Sequence, residues 1–436
     1  MRTFGLTDNP SSPRYVSPNL FFALWLSVRI TNVLQLDVEL AFATGETVMR
    51  TVEDLIKCLL GWLRQNWTLQ LRDGEYIPLN QPSSPESESS VFPDLSGAPF
   101  LRMSYADAMA RFGCDKPDLR IPGDITRIEH VVPDDFTSKI TSLKEPIVEA
   151  WRLRLNGATR GSQDFVKTFF DKLPKKLARN PDGLPAVMIY DVNKPLSGLS
   201  PLGHEAASTL TSGEGFQELS PFEDGDILVV QARPRKPFQG GSTALGDLRT
   251  AMYREAVDRG LLPRDDRYCF LWVTDFPMFT PDEEVEVGQQ GAAGFSATHH
   301  PFTAPLTDED FDLLLEDPLK AKADHYDLVL NGVEIGGGSR RIHVAEVQEF
   351  VMRHILKMSD DGVGQFSHLL EALRAGCPPH AGFALGFDRL VAVLCGASSV
   401  RDVIAFPKSM KGEDLAVRSP SPITAEQLET YKLTLR

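Results

Sequence analysis

Two acidic residues and a run of glycines in the last third of the chain are the first groups that could do chemistry together. Tyr326-Asp-Leu-Val-Leu330, Asn331-Gly332 and Val333-Glu-Ile335 have the form of a hairpin, because Asn-Gly suits a two-residue turn whose positions both need positive φ. Such a turn pairs Leu330 with Val333, Val329 with Glu334 and Leu328 with Ile335. Asp327 and Glu334 then fall on one face as diagonal neighbours, with Cβ atoms roughly 6–8 Å apart. Two carboxylates at that range can share a divalent cation, Mg2+ with phosphates being the usual case. Taken alone, the pair reads more readily as a solvated strand face that carries two acids. The next residues change that balance. Gly336-Gly337-Gly338 leaves a stretch without side chains, so a flat ligand can approach the backbone. Ser339-Arg340-Arg341 follows, and an arginine fork is a natural clamp for a carboxylate.

Nearer the C-terminus, Gly382-Phe-Ala-Leu-Gly-Phe-Asp-Arg389 leads into Leu390-Val-Ala-Val-Leu394. The pattern is a strand bearing Gly382 and Gly386 that enters a helix with Asp388 and Arg389 in its first turn. Helix starts attract anions, and an arginine there can grip a phosphate tail. The alternative is a buried strand–helix junction in which glycine relieves crowding and Asp388 caps the helix. His299 and His300 form a third cluster. Adjacent residues of a strand point to opposite faces, so they make a poor pair of ligands for one metal. One histidine touching an acidic substrate and one satisfied by buried hydrogen bonds are about equally good readings.

Elements must hold these residues in place. Leu34, Leu36, Val38, Leu40 and Phe42 alternate with Gln35, Asp37, Glu39 and Ala41, the period of a strand with one apolar face. Val48, Val52, Leu55, Ile56, Leu59 and Leu63 then recur at helical spacing. Residues 82–90 form a polar, low-complexity loop. Tyr105 to Arg111 reads as helix and Gly113 as the start of a turn through Gly-Cys-Asp-Lys-Pro-Asp. From about 123 to 262, strands such as Ile227 to Gln231 mix with helices such as Ala244 to Arg259, an inserted α+β domain.

With 436 residues the chain has material for two or three domains. Its 45 Lys and Arg stand against 60 Asp and Glu, a net charge of −15, so any nucleic-acid contact must come from a local patch. The five cysteines are scattered and form no Cys-x-x-Cys pair, which suits a reducing compartment and neither a disulfide framework nor a zinc site. The apolar run Leu20 to Val28 is about half of a membrane span, without a basic cluster before it or a clear cleavage site after it. Neither a membrane association nor secretion is expected.

Taken together, these segments resemble the aspartyl-tRNA synthetases of the bacterial and organellar type. The matching pieces come in the family's order: LQLDVEL at 34–40, YADAMARFGCDKPD at 105–118, FLWVTDFPMF at 270–279, HHPFTAP at 299–305, YDLVLNGVEIGGGSRRIH at 326–343, GFALGFDRL at 382–390 and SVRDVIAFPKS at 399–409. The resemblance implies an α+β fold, the antiparallel-sheet catalytic domain of class II aminoacyl-tRNA synthetases with an inserted α+β domain. It divides the chain into an unmatched segment 1–33, catalytic parts at 34–122 and 263–436, and the insertion at 123–262. It implies ATP-dependent activation of L-aspartate to aspartyl-adenylate and transfer to tRNA-Asp. Arg341 would bind the side-chain carboxylate of aspartate, with His299, Gln35, Asp37 and Glu39 lining the amino-acid pocket. Asp327 and Glu334 would hold Mg2+, and Glu334, Gly386, Phe387, Asp388 and Arg389 would bind ATP, Arg389 at the γ-phosphate. The address implied is the mitochondrial matrix for a eukaryotic source and the cytoplasm for a bacterial one.

Several family features have no counterpart in the text of the chain: the anticodon-binding barrel, the dimer motif that supports a homodimer, and the arginine strand that clamps the α-phosphate. Residues 14–33 stand where that arginine strand would be, and Arg29 lacks the family's surroundings. Three expectations follow from this: an incomplete form of a normal synthetase, a short non-catalytic paralogue that holds nucleotide or RNA, and an enzyme that passes aspartyl-adenylate to another acceptor.

Overall fold

The computed structural model describes residues 34–66, 68–70, 76–78, 95, 97–157, 159–173, 177, 180–194, 198–213, 216–281, 291–409 and 412–434, with isolated strand pairs at 25–26 and 32–33. The rest of the segment 1–33, including Arg29, and the polar stretch 82–90 lie outside the described residues.

Six strands form the main sheet: β1 (Gln35–Ala41), β2 (Leu101–Ser104), β3 (Phe270–Thr274), β4 (His325–Leu330), β5 (Val333–Arg340) and β6 (His380–Gly386). Their spatial order is β1-β6-β5-β4-β3-β2. All neighbours are antiparallel except β3 and β2, which run parallel. Strand alternation sends Trp272, Leu328, Leu330, Ile335, Phe383 and Leu385 to one face, where they form a single core. The helix α1 (Gly45–Asn66) covers that face with Val48, Val52, Ile56 and Leu60, each at most 1% exposed and four residues from the next. Burying each of these aliphatic side chains contributes about 1.5–3 kcal/mol. Leu55 lies off this stripe and is exposed. Glu53, buried on the inner side of this helix, is satisfied: it accepts from Trp272 Nε1 at 3.0 Å and Phe100 N at 3.2 Å.

The hairpin turn forms as its residues require, with φ of 52° at Asn331 and 79° at Gly332. Leu330 pairs with Val333 and Val329 with Glu334, but Leu328 then pairs with Gly336 rather than Ile335. Ile335 is therefore the extra residue of a β-bulge, and both Ile335 and Gly336 face the helix-covered core. Beyond the bulge the alternation is inverted relative to a regular strand.

A second sheet of four antiparallel strands lies between residues 126 and 233, in the order Thr126–Arg127, Ile147–Leu153, Ile227–Arg233, Ala186–Ile189. Apolar clusters cover it on both faces. This explains why its central strand Ile227–Arg233 reads as a nearly unbroken apolar run. The root of this unit is tied to the main sheet. Helix α2 (Tyr105–Phe112) ends at Gly113 in the left-handed conformation, and Gly113 O accepts from Thr243 N at 2.8 Å. Asp115 N donates to Gly241 O at 3.0 Å, and Tyr105 Oη donates to Gly240 O at 2.8 Å. These bonds fix the turn 113–118 over the open face of the main sheet.

Candidate active site

The face of the main sheet away from α1 carries the polar residues. Its floor is a band of small residues on the two central strands: Gly337 and Ser339 on β5, opposite Ala384 and Gly382 on β6, with Gly386 at the end of β6. In β1, Gln35 pairs with Gly386, Asp37 with Ala384 and Glu39 with Gly382, so all three polar side chains border this floor. At Gly382 the absence of a side chain is a packing requirement, since a Cβ would stand 1.7 Å from Glu39 Oε2 and 2.8 Å from Val38 O, whereas one on Gly337 would meet the end of the Asp327 side chain, Oδ1 at 2.6 Å. Only the middle residue of the triple glycine serves the open face. Gly336 and Gly338 face the core, where a Cβ would meet Phe383 Cζ at 2.5 Å and Gly382 O at 2.1 Å respectively. The sequence reading of one continuous glycine platform is corrected to that extent.

Arg341 stands at the far end of the floor. Its Nη1 donates to Ser339 Oγ at 2.7 Å and its Nε to Glu39 Oε1 at 3.2 Å, while the guanidinium lies over the Phe302 ring. Arg340 points the other way and donates to Asp324 Oδ2 at 2.7 Å. Burial, reinforced by the neighbouring Glu39 charge, raises the Asp37 carboxyl above the usual range.

Asp327 and Glu334 meet on the same face, as the hairpin predicts. A third acid, Asp115, and two basic side chains, Lys116 and His325, which the sequence reading did not assign, join them. Lys116 Nζ lies 2.5 Å from Asp115 Oδ2, 3.1 Å from Asp327 Oδ2 and 3.7 Å from Glu334 Oε2. His325 Nε2 lies 2.9 Å from Asp327 Oδ1. Burial alone would raise the Asp327 carboxyl, but His325, Lys116 and His299 together hold it well below the ordinary carboxylate range. Glu334 moves the other way, raised by burial and by the charge on Asp327. Lys116 is held charged, its burial outweighed by Asp327 and Asp115. Carboxylate oxygens converging around one cation are the donor set of a hard divalent ion, so Asp327 and Glu334 fit Mg2+, with the Lys116 ammonium beside them.

Helix α3 (Phe387–Leu394) starts at the end of β6, and Arg389 in its first turn reaches back to the acids. Its Nη1 donates to Glu334 O at 3.1 Å and lies 3.6 Å from Glu334 Oε1. Asp388 does not join it. Its carboxylate is buried, accepts from Leu34 N at 2.7 Å and makes no helix cap. Phe387 N donates to Leu34 O at 3.1 Å, so both residues fasten the start of β1, and the Phe387 side chain is exposed. The capping reading therefore does not describe the Asp388 carboxylate.

His299 is not in a strand. Its ring stacks on His325 at 3.5 Å between centroids, edge-on to Phe276 at 5.0 Å. Its Nε2 lies 3.9 Å from Asp327 Oδ2. Burial, then the proximity of His325, pushes it down to about 3, so it is neutral near pH 7. His300 stacks on Phe302 at 4.7 Å, on the Arg341 side. The two histidines diverge as expected, but His299 stands with the acids and His300 nearer to Arg341.

His325 was legible in principle, being two residues before Asp327 on one strand and hence on its face. Lys116 and Asp115 were not, since only the anchored turn 113–118 brings them to the site.

An antiparallel sheet with one parallel edge strand, a small-residue floor between acids and arginines, and an arginine on the helix after the last strand define the catalytic unit of a class II synthetase. Residues 28–410 match the family described as tRNA synthetases class II (D, K and N), and the chain belongs to that family. It is 34% identical over 339 residues to the mitochondrial aspartate–tRNA ligase of Schizosaccharomyces pombe, covering 77% of this chain and 52% of that protein. It is also 34% identical over 403 residues to the aspartate–tRNA(Asp/Asn) ligase of Opitutus terrae, covering 91% and 59%. The chain thus spans little more than half the length of the curated relatives it matches. Among solved structures, the Entamoeba histolytica asparaginyl-tRNA synthetase in complex with asparaginyl-adenylate is 14% identical, with a TM-score of 0.34, over 90% of this chain and 51% of that one.

Proposed function

We propose that the chain carries the site for ATP-dependent activation of L-aspartate and its transfer to tRNA-Asp. The observation that carries this reading is the placement of Arg341, held by Glu39 and Ser339 at one end of a floor of small residues whose other end holds Asp327, Glu334 and Arg389. An amino acid with a side-chain carboxylate fits the arginine end, and a nucleotide triphosphate fits the acid and arginine end. Arg341 clamps the substrate side chain, and Gln35, Asp37 and Glu39 line the pocket. Arg389 neutralises the outer phosphate. Asp327 and Glu334 would hold Mg2+, which supplies charge neutralisation at the phosphate oxygens.

The reaction needs little acid–base work. The aspartate α-carboxylate attacks the α-phosphate in line, and pyrophosphate leaves. The ribose hydroxyl of tRNA then attacks the adenylate carbonyl. Positioning and preorganised charge supply most of the acceleration. Arg341 and Glu334 on this face favour this reading over a protein that only binds nucleotide, whereas the lack of a counterpart to the α-phosphate arginine favours the latter. The relatives bear on location as well: one is mitochondrial and one bacterial. A mitochondrial matrix address is our reading for a eukaryotic source, and a homodimer is the assembly we expect.

The test is pyrophosphate–ATP exchange with the full chain, comparing aspartate with asparagine. Exchange that depends on aspartate and not on asparagine supports the proposal. Exchange driven equally by asparagine overturns it.

A further inference from the structure

The Lys116 ammonium and a divalent ion on Asp327 and Glu334 would claim the same oxygens. His325 Nε2 takes Asp327 Oδ1 at 2.9 Å, which leaves Oδ2 for a cation, and Oδ2 is the atom 3.1 Å from Lys116 Nζ. Glu334 Oε2 lies 3.7 Å from the same ammonium. Asp327 is 2% exposed and its Oδ2 accepts no hydrogen bond, so Lys116 gives that oxygen charge without a directed donor. Two cations on one buried oxygen repel each other, and an ion that engages Oδ2 displaces the ammonium.

The side chain can make that move while its backbone stays. The turn 113–118 is tied at one end by Thr243 N to Gly113 O at 2.8 Å and Asp115 N to Gly241 O at 3.0 Å. At the other end Arg120 Nη2 donates to Asp118 Oδ2 at 2.8 Å, and its Nη1 to Asp265 O at 2.9 Å. The nearest partner of Lys116 Nζ is Asp115 Oδ2 at 2.5 Å, on the same turn, so the ammonium keeps a counter-ion when it leaves Asp327. In place, it compensates one of the three carboxylate charges that face it, and affinity for a hard divalent ion follows the charge of its ligands. Nucleotide phosphates tip the balance the other way. Their oxygens add ligands for the ion and give the lysine an anionic partner.

We propose that Lys116 is a positioning residue for the divalent ion, competing with it for Asp327 and Glu334 so that the metal is taken up together with the nucleotide rather than ahead of it. This rests on the reading of Asp327 and Glu334 as the Mg2+ acids.

The test follows Mn2+ binding to the full chain by electron paramagnetic resonance, without nucleotide and with α,β-methylene-ATP, corrected for the metal that the nucleotide holds in solution. The wild-type chain should bind Mn2+ at least about tenfold more tightly with the nucleotide than without it. Lys116→Met should bind Mn2+ alone at least about tenfold more tightly than the wild type does. Lys116→Arg, which keeps the charge, should show no such gain, and adding Glu334→Gln to Lys116→Met should abolish it. A folded Lys116→Met chain with wild-type affinity for Mn2+ alone overturns the proposal. So does a gain that survives Glu334→Gln, which puts the ion elsewhere. Equal Mn2+ affinity of the wild-type chain with and without nucleotide overturns it too, and that comparison needs no variant to fold. A wild-type chain that binds no Mn2+ even with the nucleotide overturns the Mg2+ reading of the acids itself, and this proposal with it.

Discussion

Glu334 and Arg341 project from the same face of the sheet although they are seven residues apart, an odd spacing that places two residues of a regular strand on opposite faces. The bulge at Ile335 makes the difference, by spending one residue without a pairing partner. It turns Gly337, Ser339 and Arg341 towards Asp327 and the β1 acids, and sends Gly336 and Gly338 into the core.

The two glycine faces should respond differently to the same substitution. Gly338→Ala forces a Cβ against Gly382 O and Tyr326. It should lower stability by about 1–3 kcal/mol, read as a reduced urea midpoint. The nearest atoms to a Cβ in Gly337→Ala belong to the Asp327 and Glu334 side chains. It should raise the KM for ATP with a much smaller loss of stability. Equal stability losses would contradict the division of the triple glycine.

Asp388 should behave as a structural anchor. Asp388→Ala removes the 2.7 Å bond to Leu34 N. Loss of a hydrogen bond to a charged group costs about 1.5–3 kcal/mol, so the urea midpoint should fall and hydrogen exchange at the start of β1 should quicken. A change confined to ATP binding, with unaltered stability, would contradict the anchoring role and favour a nucleotide contact at this residue.

His299 sets a pH dependence of stability. Its folded pKa of about 3 lies below the unfolded value of about 6.5, so between these the unfolded chain binds more protons than the folded one. This contribution is present above about pH 6.5 and is lost as pH falls from there towards 3. In His299→Gln the urea midpoint should vary less between pH 7 and pH 4 than in the wild type. The lowered carboxyl of Asp327 works only lower, below the ordinary carboxylate range, so the two are separable. An unchanged pH profile in the variant would contradict a buried neutral imidazole.

Much of this arrangement was legible in the sequence where local rules decide the outcome. Alternation from Leu34 to Phe42 predicts the strand and the shared face of Gln35, Asp37 and Glu39, and Asn331-Gly332 predicts the turn. The strand-to-helix passage after Gly386 also follows from pattern. What escaped depends on tertiary packing. Nothing local to Ile335 announces a bulge, which is stabilised by the core that Ile335 and Phe383 share. Lys116 reaches the acids only because residues 240–243 hold its turn. Asp388 turns to Leu34 because β1 starts beside α3, a contact between residues 354 apart in sequence.

The central claim is that Arg341 reads the substrate's side-chain carboxylate. Its most direct test is aspartate-dependent pyrophosphate exchange in Arg341→Ala, with ATP saturating. The account predicts that kcat/KM for aspartate falls by about two to three orders of magnitude, the loss of one fully engaged charged donor, while the KM for ATP changes little. Aspartate kinetics like those of the wild type in a folded Arg341→Ala chain would contradict it.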